Sequence, residues 1–161
     1  MTSKEYNKCV DEYADGLYRF ALKIVKETEI AKDVVQDAFE KLWINKEKID
    51  ATKVKSYIFT VAYHSMIDKI RKYKRIEEFT SNNFEDGIDM NQYSDLNELL
   101  HKIAEKLPDV QKSVLFLRDY EGYSYEEIEE ITGLGLSQVK VYIHRARLYM
   151  KQQIGSIDAV I

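Results

Sequence analysis

The sequence holds one cysteine, one proline and six glycines in 161 residues. A lone Cys9 excludes an internal disulfide and any cysteine-based zinc site, and a single thiol is ordinary in a reducing compartment. So little glycine and proline suits neither a sheet-rich domain nor long ordered loops. With 45% hydrophobic and 32% charged residues, the composition is that of a globular helical protein. No apolar run approaches the roughly 20 residues that cross a bilayer. The N-terminal "MTSKEYNKCVDEY" has no apolar stretch behind a basic start, so neither a secretory signal nor membrane insertion is expected. The expected location is the cytoplasm.

Chemistry is equally sparse. A carboxylate-bridged metal bundle needs two Glu-x-x-His pairs, and Glu98–His101 is alone. His64, His101 and His144 fall on three separate segments. The Gly133–Gly135 "GLG" lacks the spacing and the lysine of a phosphate-binding loop, and no nucleophile elbow occurs. No catalytic residue, metal site or cofactor is expected, so the functional reading rests on binding surfaces.

Charge divides the chain into three. Residues 1–75 carry 16 Lys/Arg against 12 Asp/Glu; residues 76–95 carry six acids and no base; residues 96–161 carry 8 bases and 10 acids, for a net charge of −4. The middle stretch is polar and aperiodic and reads as a flexible acidic linker, with a typical end-to-end distance of about 25 Å. The expectation is an all-α protein of two small helical domains, 1–75 and 96–155, tethered by 76–95.

Periodicity fills in the helices. Val10, Tyr13, Ala14, Leu17, Ala21, Ile24 and Val25 mark one apolar stripe, and Ala31, Val34, Val35, Ala38 and Leu42 the next. On this second helix Asp33, Gln36, Asp37 and Glu40 share the opposite face, which by composition alone is that of any solvated helix. A third helix, about 53–75, sets Val54, Ile58, Val61, Ala62 and Ser65 inward. Another strip holds Lys53, Tyr57, Thr60, His64, Arg71 and Arg75. Across that helix seven bases face one acid, Asp68, and the "KIRKYKR" end packs five of them around Tyr73. A basic helix can lie on a membrane surface or simply face water. Base mixed with aromatic also suits nucleic acid, where cations meet phosphate and rings stack on unpaired bases.

In the C-terminal half Leu96, Leu99, Leu100 and Ile103 form a stripe. Pro108 fits the first turn of a helix whose inner face is Val110, Val114 and Leu117, and Gly122 ends it. Ser124 and Glu127 make a capping box, Gly133 fits a left-handed helix end, and Leu134 can plug the gap between two helices. From about Ser137, Val139, Ile143, Ala146 and Met150 point inward. Gln138, Lys140, Val141, His144, Arg145 and Lys151 point outward. This reads as a helix-turn-helix whose basic second helix enters a major groove, although a plain helical hairpin has the same local signals.

The segments "EIAKDVVQDAFEKLW", "VKSYIFTVAYHSMIDKIRKYKR" and "LPDVQKSVLFLRDYEGYSYEEIEEITGLGLSQVKVYIHRAR", in that order around a tether, resemble the small extracytoplasmic-function group of sigma factors, from about Glu5 to Ile154. The resemblance implies an initiation factor without catalysis of its own. It would bind core RNA polymerase at the clamp helices of the largest subunit and the flap of the second largest, bind promoter DNA, and be held by an anti-sigma factor. By position, Asp33, Gln36, Asp37 and Glu40 would meet polymerase, with Phe39 and Trp43 as the aromatic positions beside them. The loop from about Asn45 with Lys53, Lys55, Tyr57, Thr60, His64, Arg71 and Lys72 would take the minus-ten strand. Ser137, Gln138, Lys140, Val141, Tyr142, His144 and Arg145 would read the minus-thirty-five duplex, and Arg147 also fits the pattern. Departures are Tyr57 at a tryptophan position, Thr60 and Tyr63 at often basic positions, and His64 for asparagine. Two more are Tyr142 for a common arginine and Glu129 where a small residue is usual. A simple helix-turn-helix repressor or activator would explain only the C-terminal half, and a sigma-mimicking antagonist would bind without starting transcription.

Overall fold

The computed structural model describes residues 1–80 and 96–158, and all regular structure among them is helical. The order is α1 (Ser3–Val25), α2 (Thr28–Ile44), a 3-10 turn at Ala51–Lys53, α3 (Val54–Thr80), α4 (Leu96–Ala104), α5 (Asp109–Asp119), α6 (Tyr125–Thr132) and α7 (Leu136–Asp158). Helix α3 therefore runs five residues into the stretch read as linker; residues 81–95 of that linker lie outside the described residues.

The N-terminal module is α1–α3. Thr2 and Glu5 cap α1 reciprocally. At its other end Lys26 takes φ 62°, where glycine is usual, and its N–H closes the helix on the Leu22 carbonyl. The sequence has no glycine or proline to announce this break. Leu17, Phe20, Ala21 and Ile24 of α1 meet Ala31, Val34, Ala38 and Leu42 of α2 and Val54, Ile58, Ala62 and Met66 of α3, all of them buried. The predicted Val35 and Val61 are only partly buried.

In the C-terminal module the capping box forms as expected: the Ser124 hydroxyl accepts from the Glu127 N–H, and the Glu127 carboxylate accepts from the Ser124 N–H. Gly133 is left-handed at φ 77° and Gly122 at φ 76°. Pro108 sits at the N-cap of α5, one residue before the first turn assigned to it, and its carbonyl accepts from the Lys112 N–H. Val139, Ile143 and Ala146 are buried, while Met150 is partly exposed. Glu129 points to solvent, so the helix pair closes over Ile128 and Ile131 without adapting to it.

The modules are packed together, not held apart. Their buried side chains form one continuous core. Two observations explain it. First, α3 carries a second apolar row, Phe59, Tyr63 and Ile67, at i, i+4 and i+8, and buries it. Phe59 packs on Tyr123 with ring centroids 5.5 Å apart. Second, α5 is buried over six consecutive residues, Lys112 to Leu117, because one side serves its own module and the other faces α1 and α3.

Lys112 is the unusual member of this core, 2% exposed. Its ammonium donates to the Ile24 carbonyl at the end of α1, 3.2 Å away, where the helix dipole favours a cation. Asp109 stands 3.8 Å off. Around this site Lys74 binds Asp109 at 2.8 Å and Lys26 approaches Glu105 at 3.7 Å. Lys23 lies over the Tyr120 ring, 3.8 Å from its centroid. Among the described residues the buried Tyr123 hydroxyl finds no hydrogen-bond partner.

Burial, reinforced by Lys26, pushes the Lys112 amine down from 10.5 to about 8. Below that pH it is protonated whether buried or exposed, so pH has no lever through it. Between about 8 and 10.5 the packed form has lost a proton that the unfolded chain keeps, so stability rises with pH. Subtracting the melting profile of Lys112→Met should isolate this rise; a flat difference across that window would contradict the burial of a charged amine here.

Candidate nucleic-acid interface

The outer face of α2 presents Asp33, Gln36 and Glu40 to solvent, and Asp37 is half-buried. Asp37 differs because it ties α2 to α3. It accepts from the Ser65 hydroxyl at 3.3 Å and pairs with Lys69 at 3.2 Å. The stripe ends in Ile44, four residues past Glu40 and 69% exposed. Beside it Trp43 is 41% exposed, with the Tyr6 ring edge-on at 4.9 Å and the Lys46 ammonium 3.3 Å from its centroid. Phe39 is core, and its carbonyl accepts from the Tyr6 hydroxyl. Of the two aromatic positions, then, Trp43 is the available one. Sequence reasoning missed Ile44; its signal is an apolar residue in helical register with an acidic face.

The loop after α2 is pinned at both ends. Asn45 donates to the Lys41 carbonyl and to the Tyr57 hydroxyl, at 3.1 and 3.2 Å. Asp50 caps the 3-10 turn by accepting from the Thr52 N–H, which holds its carboxyl below the usual range. Lys53, at the end of the 3-10 turn, and Lys55, His64, Arg71 and Lys72 of α3 are exposed, while Tyr57 and Thr60 are partly so. Thr60 donates back to the Ser56 carbonyl at 2.8 Å, which uses its hydroxyl proton inside the helix. Tyr63 is buried against the C-terminal module, where desolvation pushes its hydroxyl pKa up.

Along α7, Ser137, Gln138, Lys140, Val141, His144 and Arg145 are exposed and Tyr142 is partly covered. Gln138 donates to the Tyr142 hydroxyl at 3.2 Å, which orders two side chains one turn apart. Arg147 is committed inside the module, 2.7 Å from Asp119. The geometry thus offers a mixed acidic and apolar helix face, a basic-aromatic helix behind a fixed loop, and a positive helix face with an apolar residue at its centre. Among the described residues no group of three His, Cys, Asp or Glu could hold a metal ion, and no helix is long and apolar enough to cross a membrane.

Residues 9–76 match the family model "Sigma-70 region 2" and residues 97–150 match "Sigma-70, region 4". The RNA polymerase sigma factor SigV of Bacillus subtilis is 31% identical, over 93% of this chain and 91% of that protein. The chain belongs to the extracytoplasmic-function group of the sigma-70 family. From the same organism, sigma factor YlaC is 29% identical over 89% of this chain and 88% of its own length. The ECF sigma factor SigM is 27% identical over 86% of this chain and 88% of its own. The fold is shared with solved sigma factors. One is RpoE of Bartonella quintana, crystallised with the anti-sigma factor NepR (TM-score 0.77, 22% identity, 94% of this chain and 98% of that one). Another is CnrH with the cytosolic domain of CnrY (TM-score 0.69, 20% identity, 96% and 90%). As a sigma factor, the protein binds core RNA polymerase and directs promoter-specific initiation.

The geometry separates two acidic residues of the sigma factor's α2. Asp37→Lys would set like charges together at Lys69 and lower stability, by no more than about 1 kcal/mol for a pair this exposed. Glu40→Lys should leave stability within about 0.5 kcal/mol. Thermal unfolding of the two variants checks this; equal melting temperatures would mean that the Asp37–Lys69 pair contributes nothing.

Proposed function

We propose that the outer face of α2 docks on the clamp helices of core polymerase through Asp33, Gln36, Glu40 and the exposed part of Asp37, with Trp43 and Ile44 as apolar anchors. Tryptophan is among the residues that most often carry the binding energy at protein interfaces. The loop from Asn45 through Lys53, with Lys55, Tyr57, Thr60, His64, Arg71 and Lys72 of α3, receives the melted minus-ten strand. Turning a base out of the stack costs a few kcal/mol, and stacking on a ring such as Tyr57 returns about 1–3 kcal/mol.

The α7 residues Ser137, Gln138, Lys140, Val141, Tyr142, His144 and Arg145 read the minus-thirty-five duplex. The observation that carries this reading is the segregation along α7: Val139, Ile143 and Ala146 are buried while the intervening polar and basic side chains face out. Domain limits of 1–75 and 96–155 follow from the same division of labour, with α3 extending the first module to Thr80. A groove of about 460 Å³ between α4, α5 and α7, lined by Leu100, Leu115, Phe116, Met150 and Ile154 among others, suits an apolar element of the polymerase flap. The protein acts in the cytoplasm as an initiation factor without a catalytic site of its own. An anti-sigma factor holds it inactive, as the complexes of RpoE with NepR and CnrH with CnrY suggest by analogy.

Two substitutions test the assignment. Glu40→Lys should weaken binding to core polymerase, measured by competition with a labelled sigma factor, and unchanged affinity would remove α2 from the contact. Arg145→Ala should weaken binding to the upstream duplex and reduce the slope of log affinity against log salt by about one; an unaltered slope would mean that Arg145 meets no phosphate or base.

A further inference from the structure

A second basic cluster lies away from the side chains assigned to DNA and to the clamp helices. Helices α1, α4 and α5 line a pocket of about 430 Å³. Four side chains that are cationic at neutral pH face it: Arg19, Lys23 and Lys26 from α1 and its C-cap, and Lys112 from α5. One carboxylate, Glu105, stands against them. Four less one leaves three positive charges on the wall of a single cavity, in a chain whose net charge is −4. The nearby acids are already engaged. Glu105 meets Lys102 at 3.2 Å and Lys26 at 3.7 Å, and Asp109 meets Lys74 at 2.8 Å and Lys112 at 3.8 Å. Lys23 rests on the Tyr120 ring instead of on a carboxylate. Arg19 is exposed and makes no ion pair among the described residues.

These cations act on one another. Burial holds the Lys23 amine below its usual range, with Glu121 acting against the shift and Arg19 adding to it. Burial and then Lys23 do the same to the His101 imidazole on the pocket wall. Like charges gathered in one cavity are relieved by an anion seated among them. The negative end of α1 would repel such an anion if it were open. It is closed instead: the Ile24 carbonyl accepts from the Lys112 ammonium and the Leu22 carbonyl from the Lys26 N–H. We infer that this pocket binds a small anion bearing a di- or triphosphate group, gripped by Arg19, Lys23 and Lys26. A single phosphate carries a charge of about −1.5 to −2, less than the three positive charges that face it, whereas a di- or triphosphate balances them. The arginine fork can take two phosphate oxygens at once, and the lysines act as point charges beside it. Inorganic pyrophosphate, inorganic triphosphate and nucleotides share this chemistry. Leu22 and Phe116, the apolar part of the lining, are where a nucleotide base would add contact.

The test is isothermal titration calorimetry on the full chain, at constant ionic strength and without magnesium. The titrants are inorganic triphosphate, pyrophosphate, monophosphate and GTP. Triphosphate should bind saturably, one per chain, and about tenfold or more tighter than monophosphate. It should also raise the melting temperature as its concentration rises, since it binds the folded chain. Arg19→Glu should weaken triphosphate binding about tenfold or more with unchanged helical circular dichroism, and Arg19→Lys should keep part of the affinity. Should Arg19→Glu lose helicity, Arg19→Ala at the same exposed position decides. GTP binding tighter than triphosphate would mark a nucleotide as the ligand, and equal affinities would mark an inorganic anion. Arg145→Ala, on the outer face of α7, should leave the affinity as it is; a loss there in place of one at Arg19 would set the anion on the DNA-reading helix and overturn the pocket. Absence of saturable binding, monophosphate as tight as triphosphate, or an affinity indifferent to Arg19 would overturn it as well, and none of these results bears on the sigma-factor reading.

Discussion

Helix α3 has to satisfy two partners at once. One side, Val54, Ile58, Ala62 and Met66, completes the three-helix core with α1 and α2. The other, Phe59, Tyr63 and Ile67, is covered by the C-terminal module. A helix apolar on two sides cannot stay in water on one of them without exposing a row of large side chains. The acidic face of α2, the pinned loop and the placement of α7 all take their positions from how this one helix is covered.

That constraint explains the distribution of polar chemistry. Asp37, Ser65 and Lys69 fasten α2 to α3 in register with the row that closes the three-helix core. Lys112 fills the position where α5 passes the end of α1, and it brings a hydrogen bond to a carbonyl that has no partner within its own helix. The residues assigned to DNA occupy what remains exposed: the start and the solvent strip of α3, and the outer side of α7.

Local signals were legible in the sequence because their physics is local. Ser124 and Glu127 cap each other, Gly133 adopts the left-handed turn, and Val139, Ile143 and Ala146 repeat at the spacing that buries them. The inward rows of α1 and α2 were legible for the same reason. The second buried row of α3 was not, because its members are interleaved with a histidine, the partly exposed Thr60 and Ser65, and apolar residues of the first row, and its partner Tyr123 lies some 60 positions away in sequence. Asp37 looked equivalent to Asp33 and Glu40, since a helical repeat cannot say which of several acids lies beside a lysine of another helix. The left-handed Lys26 had no sequence signal at all, as lysine has no preference for that conformation.

Lys26 acts through its backbone and its side chain in two different places. The backbone makes the bend that sets the angle between α1 and α2, and the side chain reaches across to Glu105 on the other module. Glycine there would relax the backbone and sever the reach; a shorter side chain would sever the reach and keep the strain. One α-carbon thus couples the shape of the first module to its attachment to the second, and the two properties cannot be tuned separately at that position.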